Sequence, residues 1–336
     1  MRITKDALLR LARDMAAIRI NEDRSIVCIY LTGSMVTDDP FIGGSTDIDL
    51  FFVHAGQPVV SREVRYLNDD VTLDIAHIDQ MRFQQPRRLR ADPWLGPFLC
   101  AKPKVLFDTQ HWFEFTEASV AAQFYRPEYA LERARPLAAA ARQTWMNFHL
   151  NEKEITPANV LLLLDAVEKA GNSLSLLSGP PLVTRRFYSG LSTRLEKVDR
   201  PELMKEFRNF ILPESLTDIE WTQWISAWEP VFKETSERVE TPASLSLPRK
   251  SYYTKAVTEL SVDDPSSAAW ILMNCWTRSA AVLDEGSASL QYWKRACAEF
   301  MKIDTSFSPV TEKLDGLLDS IEETLDTFAA ENGLSQ

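Results

Sequence analysis

Cysteine and histidine are scarce, with four of each in 336 residues. Cys28, Cys100, Cys275 and Cys297 lie far apart and form no CxxC pair, which argues against a zinc cluster and gives no disulfide framework. They are expected to be buried, reduced thiols. His54, His77, His111 and His149 show no ligand spacing, so zinc is not expected from them either. Long hydrophobic runs are also lacking. Nothing approaches the roughly 18 uninterrupted apolar residues of a membrane span, and the opening MRITKDALLRLARDMAA carries charges throughout, unlike the apolar segment of a signal peptide. The expected compartment is the cytoplasm, with no membrane partner. No internal repeat and no low-complexity tract is present.

Positive charge is in short supply. The net charge is −11, and it is unevenly placed: residues 1–110 hold 14 Lys and Arg against 15 Asp and Glu, leaving 23 against 33 in residues 111–336. A protein that tracks a nucleic-acid backbone presents a basic face, so no nucleic-acid partner is expected, and a cationic small substrate suits this balance better.

What is present divides into two regions. The first 20 residues carry Leu8, Leu11, Ala12, Met15 and Ile18 at helical spacing, which predicts an amphipathic helix. Three β-like runs follow, Ser25–Leu31, Asp47–Val53 and Val71–Ile78, with a fourth at Lys104–Phe107. From about Trp112 onward helical patterns take over: Pro127–Leu150, Pro157–Leu177, Leu216–Val239, Ser266–Leu283 and Val310–Ala330, with Pro127 and Pro157 in first-turn positions. The GPP at 179–181 and the stretch TPASLSLP at 241–248 interrupt them, the second as a loop or linker. The order predicts an α+β fold, with a small α/β head over residues 1–110 and a large all-α body over residues 111–336.

The chemistry concentrates in Leu31–Val53, LTGSMVTDDPFIGGSTDIDLFFV. A strand that ends in Gly33-Ser34 before a short helix leaves backbone N–H groups unpaired, and glycine lets a phosphate approach them while Ser34 adds a hydroxyl. In an extended strand Asp47 and Asp49 project to the same side, and two carboxylates on one face repel unless a cation lies between them. Mg²⁺ fits, because it takes oxygen ligands shared between carboxylates and substrate phosphates. A third carboxylate is expected from VTLDIAHID. Asp74 has the parity of Thr72, Ala76 and Ile78, whereas Asp79 is of opposite parity and reads as the N-cap of a turn at Gln80–Phe83.

Gly33-Ser34, Asp47-x-Asp49 and a later strand Asp74 resemble the signature of the polymerase-β-like nucleotidyltransferase superfamily over roughly residues 25–108. The resemblance implies a mixed-sheet head with flanking helices, Mg²⁺ held by Asp47 and Asp49, and Asp74 as a further ligand or as the base that activates an acceptor hydroxyl. It also implies a nucleoside triphosphate substrate, ATP first, bound near Gly33, Ser34 and Thr46. Thr46 stands where many members carry serine, and the intervening loop, with Asp38, Asp39 and Gly43-Gly44, is long.

With its helical body the chain resembles aminoglycoside and lincosamide nucleotidyltransferases, which implies a small-molecule acceptor. The alternatives are protein AMPylation, cyclic or oligonucleotide second-messenger synthesis, and a non-catalytic NTP-binding regulator. Triphosphate-binding cations are sought among Arg82, Arg87, Arg88, Arg90, Lys102, Lys104, Arg249, Lys250 and Lys255, and an acceptor-site base at Asp165 or Glu168. Arg142 and His149 resemble the Arg…His pair of HEPN-type ribonucleases, but their seven-residue spacing, two helical turns, fits core packing or a surface pair better.

Overall fold

A computed structural model describes residues 3–151, 153–211, 216–238, 241–284 and 286–334. Met1, Arg2 and Val239, where two of the expected helical patterns begin or end, lie outside the described residues. The chain is an α+β protein that divides into two compact units, Met1–Tyr129 and Ala130–Gln336.

The first unit is built on a mixed five-stranded sheet. Its strands are β1 (Ile26–Thr32), β2 (Thr46–His54), β3 (Arg62–Asn68), β4 (Val71–Asp79) and β5 (Lys104–Asp108), in the order β3-β4-β2-β1-β5. β2 runs parallel to β4, while β1 is antiparallel to β2 and β5, and β3 is antiparallel to β4. Helices cover both faces, which explains why the central strands read as nearly continuous apolar runs.

On one face α1 (Lys5–Glu22) packs against Ile48, Leu50, Phe52, Leu73 and Ile75. The inward stripe of α1 is Leu8, Ala12 and Ala16, whereas Leu11 and Ile18, expected inside, are exposed. The i, i+4, i+8 stripe ends in two alanines, which let the helix lie close to the sheet. On the opposite face α2 (Pro86–Ala91), α3 (Leu95–Cys100) and α4 (Trp112–Phe124) close a second core over Cys28, Tyr30 and Val53. Because Phe113, Val120 and Phe124 of α4 belong to this core, the first unit extends beyond residue 110, the boundary expected from the sequence.

α5 (Pro127–Leu150) leads into the second unit, followed by α6 (Pro157–Ser178), α7 (Phe187–Glu196), α8 (Leu203–Arg208), α9 (Asp218–Ser236), α10 (Arg249–Asp263), α11 (Pro265–Ala280), α12 (Ser289–Met301) and α13 (Ser308–Glu331). α11 is buried around nearly its whole circumference, as expected of a helix apolar on all sides, and α6, α7, α9, α10 and α12 pack on it. The GPP break ends α6, and Asn172 fixes it, accepting from Leu182 N at 2.6 Å and donating to Leu182 O at 3.0 Å. The 241–248 stretch is a packed loop inside the second unit, with Leu245 buried, and does not divide domains. No described helix is long and apolar enough to cross a membrane.

Candidate metal and phosphate site

β1 ends at Thr32, and a 3-10 turn over Gly33–Val36 follows. Gly33 has φ +68°, a conformation that costs other residues about 1–2 kcal/mol. A Cβ built on it would stand 2.0 Å from Oδ2 of Asp49, so only glycine lets the turn lie against that carboxylate. The chain then crosses an exposed loop containing Asp38 and Asp39 and turns at Gly43-Gly44. Both of these glycines have positive φ, and Ile42 and Ser45 exchange backbone hydrogen bonds of 3.1 Å across them, the geometry of a tight hairpin turn.

Thr46, at the start of β2, is fully buried. Its hydroxyl donates to Pro40 O at 2.8 Å, which leaves its oxygen to accept from Ser34 Oγ at 3.1 Å. Thr46 therefore ties the loop to the Gly33-Ser34 turn from inside the fold, and Ser34 is the more exposed hydroxyl of the two.

The parallel β2–β4 ladder pairs Asp47 with Thr72 and Asp49 with Asp74, and β1 places Thr32 opposite Asp49. One ligand atom from each of Asp47, Asp49 and Asp74 lies within 4.8 Å of the others, with Asp47 and Asp74 buried and Asp49 half-buried. The three share the sheet face of Tyr30, Phe51 and Val53 by strand parity. The parity expected for Asp74 is thus the one it has. Asp79 is the N-cap of the 3-10 turn Gln80–Phe83, accepting from Met81 N at 2.9 Å, and is not in the cluster.

Two neighbours of the triad were not legible in the sequence. The Thr72 hydroxyl donates to Asp47 Oδ1. Arg62, on β3, reaches diagonally across to Asp74: its Nε donates to Oδ1 at 2.8 Å and its Nη2 to Oδ2, a two-pronged ion pair between a side chain 58% exposed and one only 8% exposed. β3 itself gave no apolar alternation. The polar Asn68-Asp69-Asp70 turn before Val71 was the available hairpin signal, with Asn68 Oδ1 accepting from the backbone N–H of Asp70 and Val71.

The other candidate cations differ in their surroundings. Arg90 is a structural brace of α4, donating to the carbonyls of Ser119 and Val120 and stacking on Tyr129. Arg82, Arg87 and Arg88 are exposed on the first unit, as is Lys102, while Lys104 is half-buried on β5. In the second unit, Arg249 is buried against Tyr252 and Lys250 pairs with Glu229 at 3.3 Å. Arg142 is gripped by Asp315, Asp319 and Glu322 of α13, and His149 stacks on Trp145 with ring centroids 5.1 Å apart, so this pair is structural. Asp165 pairs with Lys169. Burial pushes the Glu168 carboxyl up to about 7, against the opposing effects of the Thr184 hydroxyl bond at 2.9 Å and of Arg278.

On the opposite sheet face, at the far end of β2, His54 Nε2 and His77 Nδ1 are 2.9 Å apart, and Ser25 Oγ lies 2.8 Å from His54 Nδ1. Burial depresses the pKa of both imidazoles. Together the strands and turn define a class of site: an acidic triad on a mixed α+β sheet beside a glycine-hydroxyl turn. No protein-family model matches the chain, and no curated protein matches it.

Proposed function

We propose that this chain is a Mg²⁺-dependent nucleotidyltransferase that transfers a nucleoside monophosphate, AMP from ATP in the first instance, to a hydroxyl of a small-molecule acceptor and releases pyrophosphate. The observation that carries the reading is the convergence of Asp47, Asp49 and Asp74 within 4.8 Å, against a turn whose glycine the Asp49 carboxylate itself requires.

The donor set fits a hard divalent cation. Three carboxylates, two of them buried, repel one another in a poorly solvated place and would be stabilised by an oxygen-seeking ion that can also take phosphate oxygens. Asp47 and Asp49 would hold the ion, with Asp47 held in orientation by Thr72. Bound there, Mg²⁺ supplies charge neutralisation for the triphosphate and for the charge that develops on the leaving pyrophosphate. The Gly33-Ser34 turn takes phosphate oxygens through backbone N–H groups and the Ser34 hydroxyl, and Thr46 positions Ser34 from behind.

Transfer forms a bond between the acceptor oxygen and the α-phosphorus and breaks the bond from that phosphorus to the β-phosphate bridging oxygen. Pyrophosphate leaves with the electron pair. The acceptor's proton passes to a carboxylate, and Asp74, at the β3-proximal side of the triad, is assigned that role or that of third ligand. The acidic balance of residues 111–336 favours a cationic acceptor, in the manner of an aminoglycoside.

The test is incubation of the full chain with labelled ATP, Mg²⁺ and a metabolite mixture, with mass spectrometry for adenylylated products, alongside D49N. An adenylylated small molecule formed by the wild type alone supports the reading. Product from ATP alone assigns second-messenger synthesis, and label on protein assigns AMPylation.

A further inference from the structure

Arg62 is the group that the proposed reaction leaves unexplained. It comes from the edge strand β3, its guanidinium is largely in solvent, and it makes a two-pronged ion pair with Asp74, the triad member shared with the cation. A guanidinium is permanently charged, and its fork matches both oxygens of a carboxylate. Each Asp74 oxygen accepts one of these hydrogen bonds, so a divalent ion that takes Asp74 as its third ligand either shares it with the guanidinium or displaces the guanidinium.

We infer that Arg62 is an internal cation that competes with the divalent metal for Asp74: it offsets one of the triad's three negative charges in the metal-free protein and yields Asp74 when metal binds. The inference rests on the metal site of the nucleotidyltransferase reading. Geometry favours exchange over a permanent brace. Arg62 is a long, largely exposed side chain on an edge strand with its charge at the tip, so rotation about its own bonds can part it from Asp74 without moving the sheet. By contrast, Thr72, which holds Asp47, is buried in the adjacent strand. Arg62 is thus a positioning residue for Asp74, and its charge sets how readily the site loads.

The test is Mn²⁺ binding to the full chain without nucleotide, measured by electron paramagnetic resonance for wild type, R62Q, R62K and D74N, with thermal melts in chelator and in Mn²⁺. Competition predicts that R62Q binds Mn²⁺ about two- to tenfold more tightly than wild type, the span of exposed to part-buried ion pairs. It also predicts a lower melting temperature for R62Q in chelator and a larger Mn²⁺-induced rise. R62K, which keeps the charge without the fork, should fall between. If wild type binds Mn²⁺ and R62Q binds it equally or less tightly, Arg62 is a brace for Asp74 and the inference is overturned while the metal site stands. If neither wild type nor R62Q binds Mn²⁺, both the inference and the metal-site reading fail.

Discussion

Gly33 and Asp49 are in steric contact that only a hydrogen on Gly33 permits: a methyl group there would stand 2.0 Å from Asp49 Oδ2. The Gly33-Ser34 turn and the carboxylate face are therefore one construction, because a side chain at Gly33 would displace the Asp49 carboxylate.

Gly33→Ala tests that coupling. The positive φ alone costs about 1–2 kcal/mol, and the collision adds to it. The expected outcome is a melting temperature lowered by several degrees and Mg²⁺-ATP affinity reduced about tenfold or more, read by calorimetry. Full affinity in a folded Gly33→Ala protein would separate the turn from the carboxylate.

Asp74→Asn should reduce turnover by about 10²–10⁴-fold, the effect of losing a general base, whether it acts as base or ligand. Binding distinguishes the roles: loss of a ligand weakens Mg²⁺-ATP affinity, whereas loss of a base leaves it nearly intact. Asp79→Asn, five residues on, is the control. It caps a 3-10 turn outside the cluster, so its effect is confined to stability and to about 1 kcal/mol at most. An inactive, folded Asp79→Asn beside an active Asp74→Asn would contradict the site as drawn.

The His54–His77 pair predicts an acid limit on stability. Burial depresses both imidazoles below the ordinary 6.5, and the neighbouring Arg19 adds to this, while Asp23, Asp79 and Glu63 oppose it. The unfolded chain then binds more protons than the folded one, so stability rises with pH here. The contribution is complete above 6.5 and is lost as pH falls through 6.5 toward the folded values. His77→Gln should flatten the fall in melting temperature as pH drops below 6.5 relative to wild type. An unchanged slope would mean that these imidazoles do not set it.

Arg142→Ala should destabilise the second unit by about 1–2 kcal/mol, because one guanidinium is shared by Asp315, Asp319 and Glu322, whose exposure to solvent limits the gain. His149→Ala, which removes only a stack on Trp145, should cost less. Both variants are expected to bind Mg²⁺-ATP as wild type does. A loss of nucleotide binding in either would give this helix a role in the chemistry.

Strands and site were legible in the sequence to different depths. β1, β2 and β4 announced themselves as apolar runs because they are central and covered, and β5, the other edge, was marked only by its short apolar run KVLF; the same alternation put Asp47, Asp49 and Asp74 on one face. β3, REVRYLN, is an edge strand whose residues are half-buried or exposed, so no apolar pattern marked it, and Arg62 went unseen with it. The long helices α5, α6, α9, α11 and α13 showed a 3.6-residue period, whereas α7, α8, α10 and α12 did not stand out between loops. α4 read as the start of the helical body because nothing in its own residues says that Phe113 will pack against Tyr30, with ring centroids 4.8 Å apart.

The central claim, a divalent-metal and triphosphate site on Asp47, Asp49 and the Gly33-Ser34 turn, is tested most directly by calorimetric titration of the full chain with each of the four common NTPs, with and without Mg²⁺. The account predicts Mg²⁺-dependent binding of at least one, ATP first, abolished in D49N. Absence of Mg²⁺-dependent binding for all four, on folded protein, would contradict it.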